Sequence, residues 1–290
     1  MRMFWVNIGI ALIAFGACCA PAEQPTTAQQ LVRDVVNNEL HDHDTHGYWR
    51  YWIEKHSPNA TRLEEQVETG DGPIARLVAT NGRLLDTHGR QAEQARLENL
   101  ANSPLERAGH RQAYAEDEER LAAVFQMLSS NAFLYTFAGD EENCHHLLFR
   151  PNPDFAPHTL RGRVFHAMSG ELWIDARTTR LVRLEGKLDS NIDIGFGLLG
   201  RINKGGWFRL QRVQVSPTEW KTAKLEVHLS GRAMLFDTIS RDTSETRSGF
   251  AAVPAGLNLE QGMRILEQAN PDILPGMLAR VSPAPLAARR

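Results

Sequence analysis

From Ala132 onward the chain is written almost entirely in runs of strand text, and that pattern restricts the fold more than any other feature. Phe133, Tyr135 and Phe137 alternate along one run, and Leu147 to Phe149 make a second. Glu171 to Asp175 and Thr179 to Leu188 read as a hairpin around Ala176-Arg177-Thr178. Phe208 to Val215, Trp220 to Leu229 and Arg232 to Ser240 continue the series. Successive side chains of a strand point to opposite faces, so runs at this spacing predict a large antiparallel sheet.

The first half of the chain mixes both periods. Thr27-Ala28-Gln29-Gln30 has the pattern of a capping box, and Leu31, Val32, Val35, Val36 and Leu40 then share one helical face, predicting a helix over 27–41. Trp49, Tyr51 and Ile53 next alternate with Arg50, Trp52 and Glu54. Leu63, Glu65 and Val67, then Ile74 to Val78, flank the turn Gly70-Asp71-Gly72-Pro73, and Asp-Gly between two such runs is a strong hairpin signal. Helical spacing returns at Gln91–Leu100 and Glu106–Leu128, separated by Pro104, and again at Leu259–Gln268 before Asn270-Pro271. Glu116 and Arg120 stand one turn apart and support an exposed helix face. No internal repeat is present. Helices enclosed by many consecutive strands predict an α+β fold: a large curved antiparallel sheet, an unclosed β-barrel, with helices packed on the concave face. Strands twist, so such a sheet curls and leaves an apolar cleft beside its helices.

The N-terminus predicts export. Met1-Arg2 is a short basic start, Phe4 to Phe15 is apolar apart from Asn7 and Gly9, and the small residues Gly16 to Ala22 follow. The run is short for a bilayer span, which takes about 20 apolar residues. Ala20-Pro21-Ala22 suits cleavage and release. Phe15-Gly16-Ala17-Cys18 loosely resembles a lipoprotein box, which would leave Cys18 acylated and the chain anchored at the outer membrane. The expected organisation is a signal peptide over 1–22, one half-barrel-like domain over 23–270 with a helical insertion at about 88–130, and a disordered tail over 271–290. Release removes Arg2 alone among the charged residues, leaving 31 basic against 35 acidic residues. That balance gives no electrostatic grip on nucleic acid, whose binding needs a basic face. Cys144 is then the only thiol of a released chain and has no partner within it, so stability must come from the core.

Several stretches carry chemistry-bearing residue types without the context such chemistry needs. His41, His43 and His46 stand with Asp42 and Asp44 and have zinc or copper ligand types, which makes them candidate metal ligands of a hydrolase. Their order nearly matches the H-x-H-x-D-H signature of metallo-β-lactamase-like hydrolases, but Thr45 holds the acid's position and a helix rather than a strand precedes them. A polar turn is the alternative. Gly195 to Gly200 spells G-x-G-x-x-G, yet no helix follows to meet a pyrophosphate, so the glycines are expected to bend the sheet. Cys144, His145 and His146 are neighbours on a strand and point to alternate faces. Glu171 and Asp175 share a face about 13 Å apart, beyond the roughly 5–9.5 Å of a glycosidase pair. No G-x-S-x-G, H-E-x-x-H or P-loop is present, and no catalytic residue or cofactor is assigned.

Trp49, Tyr51, Phe133, Tyr135, Phe137, Trp173 and Trp207 fall in expected strands or at their edges. Most such rings are core. The functional alternative is that they line the cleft and meet acyl chains or another apolar ligand.

Tyr48-Trp49-Arg50-Tyr51, Val67 to Gly72 with Ala75-Arg76-Leu77, Phe149 to Phe155, Phe196 to Gly200, Lys204-Gly205-Gly206 and Gly231-Arg232 before Leu235-Phe236 together resemble a family of uncharacterised exported bacterial proteins. In its order of helix, three strands, helices and a long run of strands, the chain is also similar in layout to the outer-membrane lipoprotein carriers and receptors LolA and LolB. That likeness implies an unclosed barrel with a helical lid over a cavity for acyl chains. It transfers no binding position. The expected function is a non-enzymatic cell-envelope protein, periplasmic or anchored, that binds lipid, lipoprotein acyl chains or another apolar ligand in a half-barrel cleft. The alternatives are a structural module that binds an envelope protein partner and a metal-dependent hydrolase using the His41–His46 cluster.

Overall fold

A computed structural model describes residues 27–41, 47–194, 200–233 and 238–268. The expected signal peptide, Cys18, His43, His46, Gly195 to Leu199 and the expected tail lie outside the described residues.

The first helix, α1 (Ala28–His41), buries Leu31, Val32, Val35 and Val36 as its spacing predicts. Thr27 caps it by accepting the Gln30 N–H at 3.1 Å, but the reciprocal arm of the capping box is missing. The Gln30 amide bonds Asp34 at 2.7 Å instead. Four strands follow: β1 (Tyr48–Ser57), β2 (Ala60–Val67), β3 (Ile74–Thr80) and the short β4 (Arg83–Leu84). Two helices form the insertion, α2 (Thr87–Asn102) and α3 (Pro104–Ser129). Ser103 is both the C-cap of α2 and the N-cap of α3, with Pro104 opening α3 where a missing N–H costs nothing.

The second half supplies β5 (Phe133–Glu141), β6 (Cys144–Pro151), α4 (Leu160–His166), β7 (Met168–Asp175), β8 (Leu181–Leu188), β9 (Ile192–Ile194), β10 (Gly200–Ile202), β11 (Trp207–Gln214), β12 (Trp220–Ala233), β13 (Thr238–Val253) and α5 (Leu259–Glu267). Apart from the short β4, β9 and β10, which were not expected, two elements differ from expectation. The text around Arg232–Ser240 is the end of one strand and the start of another, and the polar run after it is the rest of β13. The helix α4 was not expected. Gly200 opens β10, so no helix follows the G-x-G-x-x-G text.

All thirteen strands join one antiparallel sheet that does not close, ordered β4-β3-β2-β1-β13-β12-β11-β8-β7-β6-β5, with β10 attached to β12 and β9 to β10. The register makes its two faces chemically distinct. Lys55, Glu245, Leu225, Leu210, Leu184, Leu172, Leu147 and Phe137 form one unbroken cross-strand row from β1 to β5. One residue along, Ser244, Glu226, Arg209, Glu185, Glu171 and Leu148 form the row on the opposite, convex face. There Arg209 pairs with Glu185 at 2.8 Å, as befits a solvated surface.

The concave face carries α1, the end of α3 and α4. The stripe of α1, with Phe125 and Leu128 of α3, packs on Phe133, Leu147, Phe149, Leu172, Ile174 and Leu181. Gly170 and Gly186 face each other across β7 and β8 beneath this layer. A Cβ on Gly186 would lie 2.4 Å from the Phe208 ring, and one on Gly170 would lie 1.9 Å from the Glu185 carbonyl oxygen. The pair lets rings lie flat on the floor.

At the other end α5 packs on the opposite face, with Leu259, Met263 and Leu266 against Val67 and Ile74. The register Arg50↔Val67 places these residues away from Tyr51. The helix α2 caps the free side of β3: the Glu93 carboxylate accepts the Leu77 N–H at 2.8 Å, and Arg96 donates to the Ala75 carbonyl at 2.6 Å.

A buried ion cluster fixes α1 to the sheet. Glu39, at the end of α1, accepts from Arg180 at 3.1 and 3.2 Å, from the Leu181 N–H at 3.2 Å and from Arg212 of β11. Burial brings the Arg212 guanidinium down to about 10, which still leaves it charged at neutral pH. Removing the carboxylate leaves two buried cations facing each other, so Glu39→Ala is expected to cost about 3–5 kcal/mol in urea unfolding. A loss below about 1 kcal/mol would mean that the cluster behaves as an exposed pair.

Candidate functional site

The cover on the concave face stops in the middle of the sheet. Along the apolar row, Leu147, Leu172 and Leu184 are 0, 1 and 3 % exposed beneath the helices. The next residues in that row, Leu210 and Leu225, are only half-buried, as are Phe208, Val227 and Leu229 on the same face. Between Lys221 and Ser230 of β12 no residue is fully buried, although β12 is a central strand of the sheet. An apolar face left half open at the centre of a sheet is the unusual feature of this molecule.

The helix α3 passes from the β2–β3 turn to the layer under α1. Its 26 residues make it about 39 Å long. Its first half meets the β2–β3 turn, where Tyr114 presses on Gly72 and Arg111 reaches Asp71 at 3.4 Å. Gly72 has φ +101°, and a Cβ there would meet the Tyr114 ring at 2.9 Å. The other end is held by α1 and by the Tyr135 hydroxyl, which donates to the Leu128 carbonyl at 2.7 Å. Between its anchors α3 buries no residue before Phe125, and Tyr114 and Glu118 on its half-buried side stay partly accessible.

A polar end closes the floor at β1 and β13. Tyr51 packs on Phe250 at 5.0 Å between ring centres, and the Arg247 guanidinium lies 5.9 Å from the Tyr51 ring. Glu245 accepts from Arg247 at 2.7 Å, and Gln66 donates to the Tyr51 hydroxyl at 2.6 Å. Burial pushes the Tyr51 phenol well above its ordinary range, with Arg247 opposing. Burial, then the charges of Glu118 and Glu68, push Tyr114 up to about 12. Both phenols are therefore neutral hydrogen-bonding groups at physiological pH, not bases.

The seven aromatics proposed from sequence are scattered. Tyr51 is at the cleft. Trp49 lies on the same face but is buried beside it, its Nε1–H donating to Glu219 at 2.6 Å. Phe133 is core, packed edge-on against Phe149 and Phe165. Tyr135 pins α3, and Phe137 lines a separate groove. Trp173 and Trp207 stand on the convex face and do not line the cleft, because the register gives them the opposite parity to Leu172 and Phe208. Trp173 is stacked on His146 at 4.5 Å with Arg183 3.5 Å from its ring, and Trp207 is stacked on His228.

The residues that do form the floor, Phe208, Leu210, Leu225 and Val227, were legible as alternating strand text. That their cover would be only partial was not.

Of the candidate metal ligands His41, His43 and His46, only His41 is among the described residues. His41 bonds the Asn37 carbonyl within its own helix at 2.8 Å. His145 pairs with Asp140 on one face and His146 with Glu171 on the other. Cys144 is half-buried, and burial and nearby carboxylates push its thiol up, away from the reactive thiolate. Among the described residues no three His, Cys, Asp or Glu side chains are placed to hold one ion. Two further spaces flank α1. The space beneath it, lined by Val32, Val36, Phe125 and Leu172, has no room for water, whereas a groove of about 500 Å³ opens between α1 and Phe137 and His145.

In comparisons with known proteins, no family model, curated protein or solved structure matches the chain.

Burial lowers the pKa of His110, which sits on the β2–β3 turn with a hydrogen bond to the Gly72 backbone and its Nε2 buried without a described partner. The folded state therefore binds this proton less readily than the unfolded chain, and stability falls as pH drops below about 6.5. Amide exchange in the first half of α3 is expected to speed up between pH 7.5 and 5.5 after correction for intrinsic rates, and His110→Gln is expected to flatten that dependence.

Proposed function

We propose that this chain is a non-enzymatic cell-envelope protein that binds an acyl chain or another apolar ligand on the open part of its concave sheet. One observation carries the reading: the row of leucines is sealed by helices as far as Leu184 and left partly open from Leu210 to Leu225. Leaving large apolar side chains partly in water forgoes about 25 cal/mol for each Å² not buried. An apolar ligand lying on β11–β13 recovers that burial. The neutral Tyr51 and Tyr114 hydroxyls and the Arg247–Glu245 pair supply a polar end that would orient an amphiphile. The export text of the N-terminus is consistent with a setting where acyl chains need such carriage, and the LolA- and LolB-like layout agrees with it.

The test is direct. Protein isolated gently from its native envelope is extracted with organic solvent, and the extract is examined by mass spectrometry. Near-stoichiometric acyl lipid is expected. Val227→Asp places a charge on the floor beside Phe208, and is expected to weaken binding of a fluorescent fatty acid about tenfold or more, with circular dichroism showing that the fold is kept. Recovery of no lipid, together with no saturable binding of the probe, would sink the proposal.

The mature N-terminus separates the two envelope settings. Intact mass is expected to show cleavage after Ala22 and a released chain. A mass beginning at Cys18 with added acyl groups would instead tether the protein to a membrane.

A further inference from the structure

The two edges of the sheet are treated differently. At the β3 edge, α2 spends a carboxylate and a guanidinium on the outward backbone groups of Leu77 and Ala75. At the other edge β5 pairs only with β6. The Ala132 carbonyl accepts the Asn152 N–H at 2.9 Å, which sets the phase of that ladder. Odd residues of β5 up to Phe137 therefore turn their N–H and C=O outward. Among the described residues no hydrogen bond reaches those outward groups of Tyr135 or Phe137. Around them Leu134 and Phe137 of β5 and Leu148 of β6 are 37, 45 and 44 % exposed. A flat edge with exposed apolar side chains is a template for another strand.

We propose that β5 is a self-association edge, at which a second copy of this chain adds its own β5 antiparallel about a two-fold axis near Phe137. Charge selects both the partner and the direction. Asp140, Glu141 and Glu142 crowd one end of the strand, and exposed Arg150 of β6 lies at the other, opposite Leu134. Antiparallel pairing of two copies brings the acidic end of each beside Arg150 of the other, whereas parallel pairing sets acid against acid. The groove of about 500 Å³ beside Phe137 adds shape to this. Near the axis, each copy's Phe137 faces the mouth of the other's groove and gains cover that it lacks alone. Beyond Phe137 the ladder is irregular and Gly139 has φ +139°, so the regular pairing is short and lies close to the axis at Phe137. This inference is independent of any ligand on the concave floor.

Sedimentation of the exported full chain over a wide concentration range tests it. A reversible dimer is expected, with slowed amide exchange at Tyr135 and Phe137. Adding two edge lysines, L134K with F137K, is expected to weaken dimerisation about tenfold or more with unchanged circular dichroism and melting. The single exchange R150E should weaken the dimer, and the double exchange R150E with D140R should restore it. A chain that stays monomeric throughout, or a dimer indifferent to both lysines, would overturn the proposal. So would a monomer that captures only an unrelated extended peptide at this edge.

Discussion

The register of the sheet is the constraint from which the other features follow. Because pairing is continuous from β1 to β5, the parity of any one residue fixes the face of every residue opposite it. Leu225, Leu210, Leu184, Leu172 and Leu147 must therefore share a face, and Glu226, Arg209, Glu185 and Glu171 must share the other. A one-residue slip between β8 and β11 would exchange leucines for charges over half the molecule. The glycine pair Gly170–Gly186 and the buried Glu39 cluster secure the region where the cover is thickest.

An open sheet of this width cannot be covered by short helices alone. The helix α1 covers about as much as its apolar stripe can reach, which is β5 to β8. The helix α5 serves the other face at β2 and β3, and α2 closes the β3 edge. The long α3 meets the β2–β3 turn in its first half and the layer under α1 at its end, and buries no residue between them. Its inward side carries Tyr114 and Glu118 where a sealed core would need leucines. The half-open floor thus follows from the composition of α3 as much as from the curvature of the sheet.

Much of the architecture was legible because it rests on local periodicity. The α1 stripe, the 70–73 turn, the break at Pro104 and the second-half hairpin follow from spacing and turn chemistry, and the structure has them within a few residues. The misses have local causes too. The second half of β13, Arg241 to Gly249, is polar because both its faces stay partly wet, so it lacks the apolar alternation by which strands are read. The short α4 carries too few apolar positions to declare a helical face. The candidate site was harder still. Aromatic rings were natural candidates for a cleft, but a ring's burial depends on the strand across from it and the helix above it. Trp173 and Trp207 have the right chemistry and the wrong parity.

By itself the sequence determined an antiparallel sheet with helices, an acidic balance, the absence of the familiar catalytic signatures and the order of the elements. Each of these depends on residues near one another in the chain or on simple sums over it. Tertiary structure decided which leucines are sealed and which are half open, which edge is capped and which is bare, and that Glu39 meets Arg180 and Arg212. Those outcomes depend on strands and helices brought together from as far apart as Glu39 and Arg212. Long-range pairing is set by the packing of whole elements, and no local period records it.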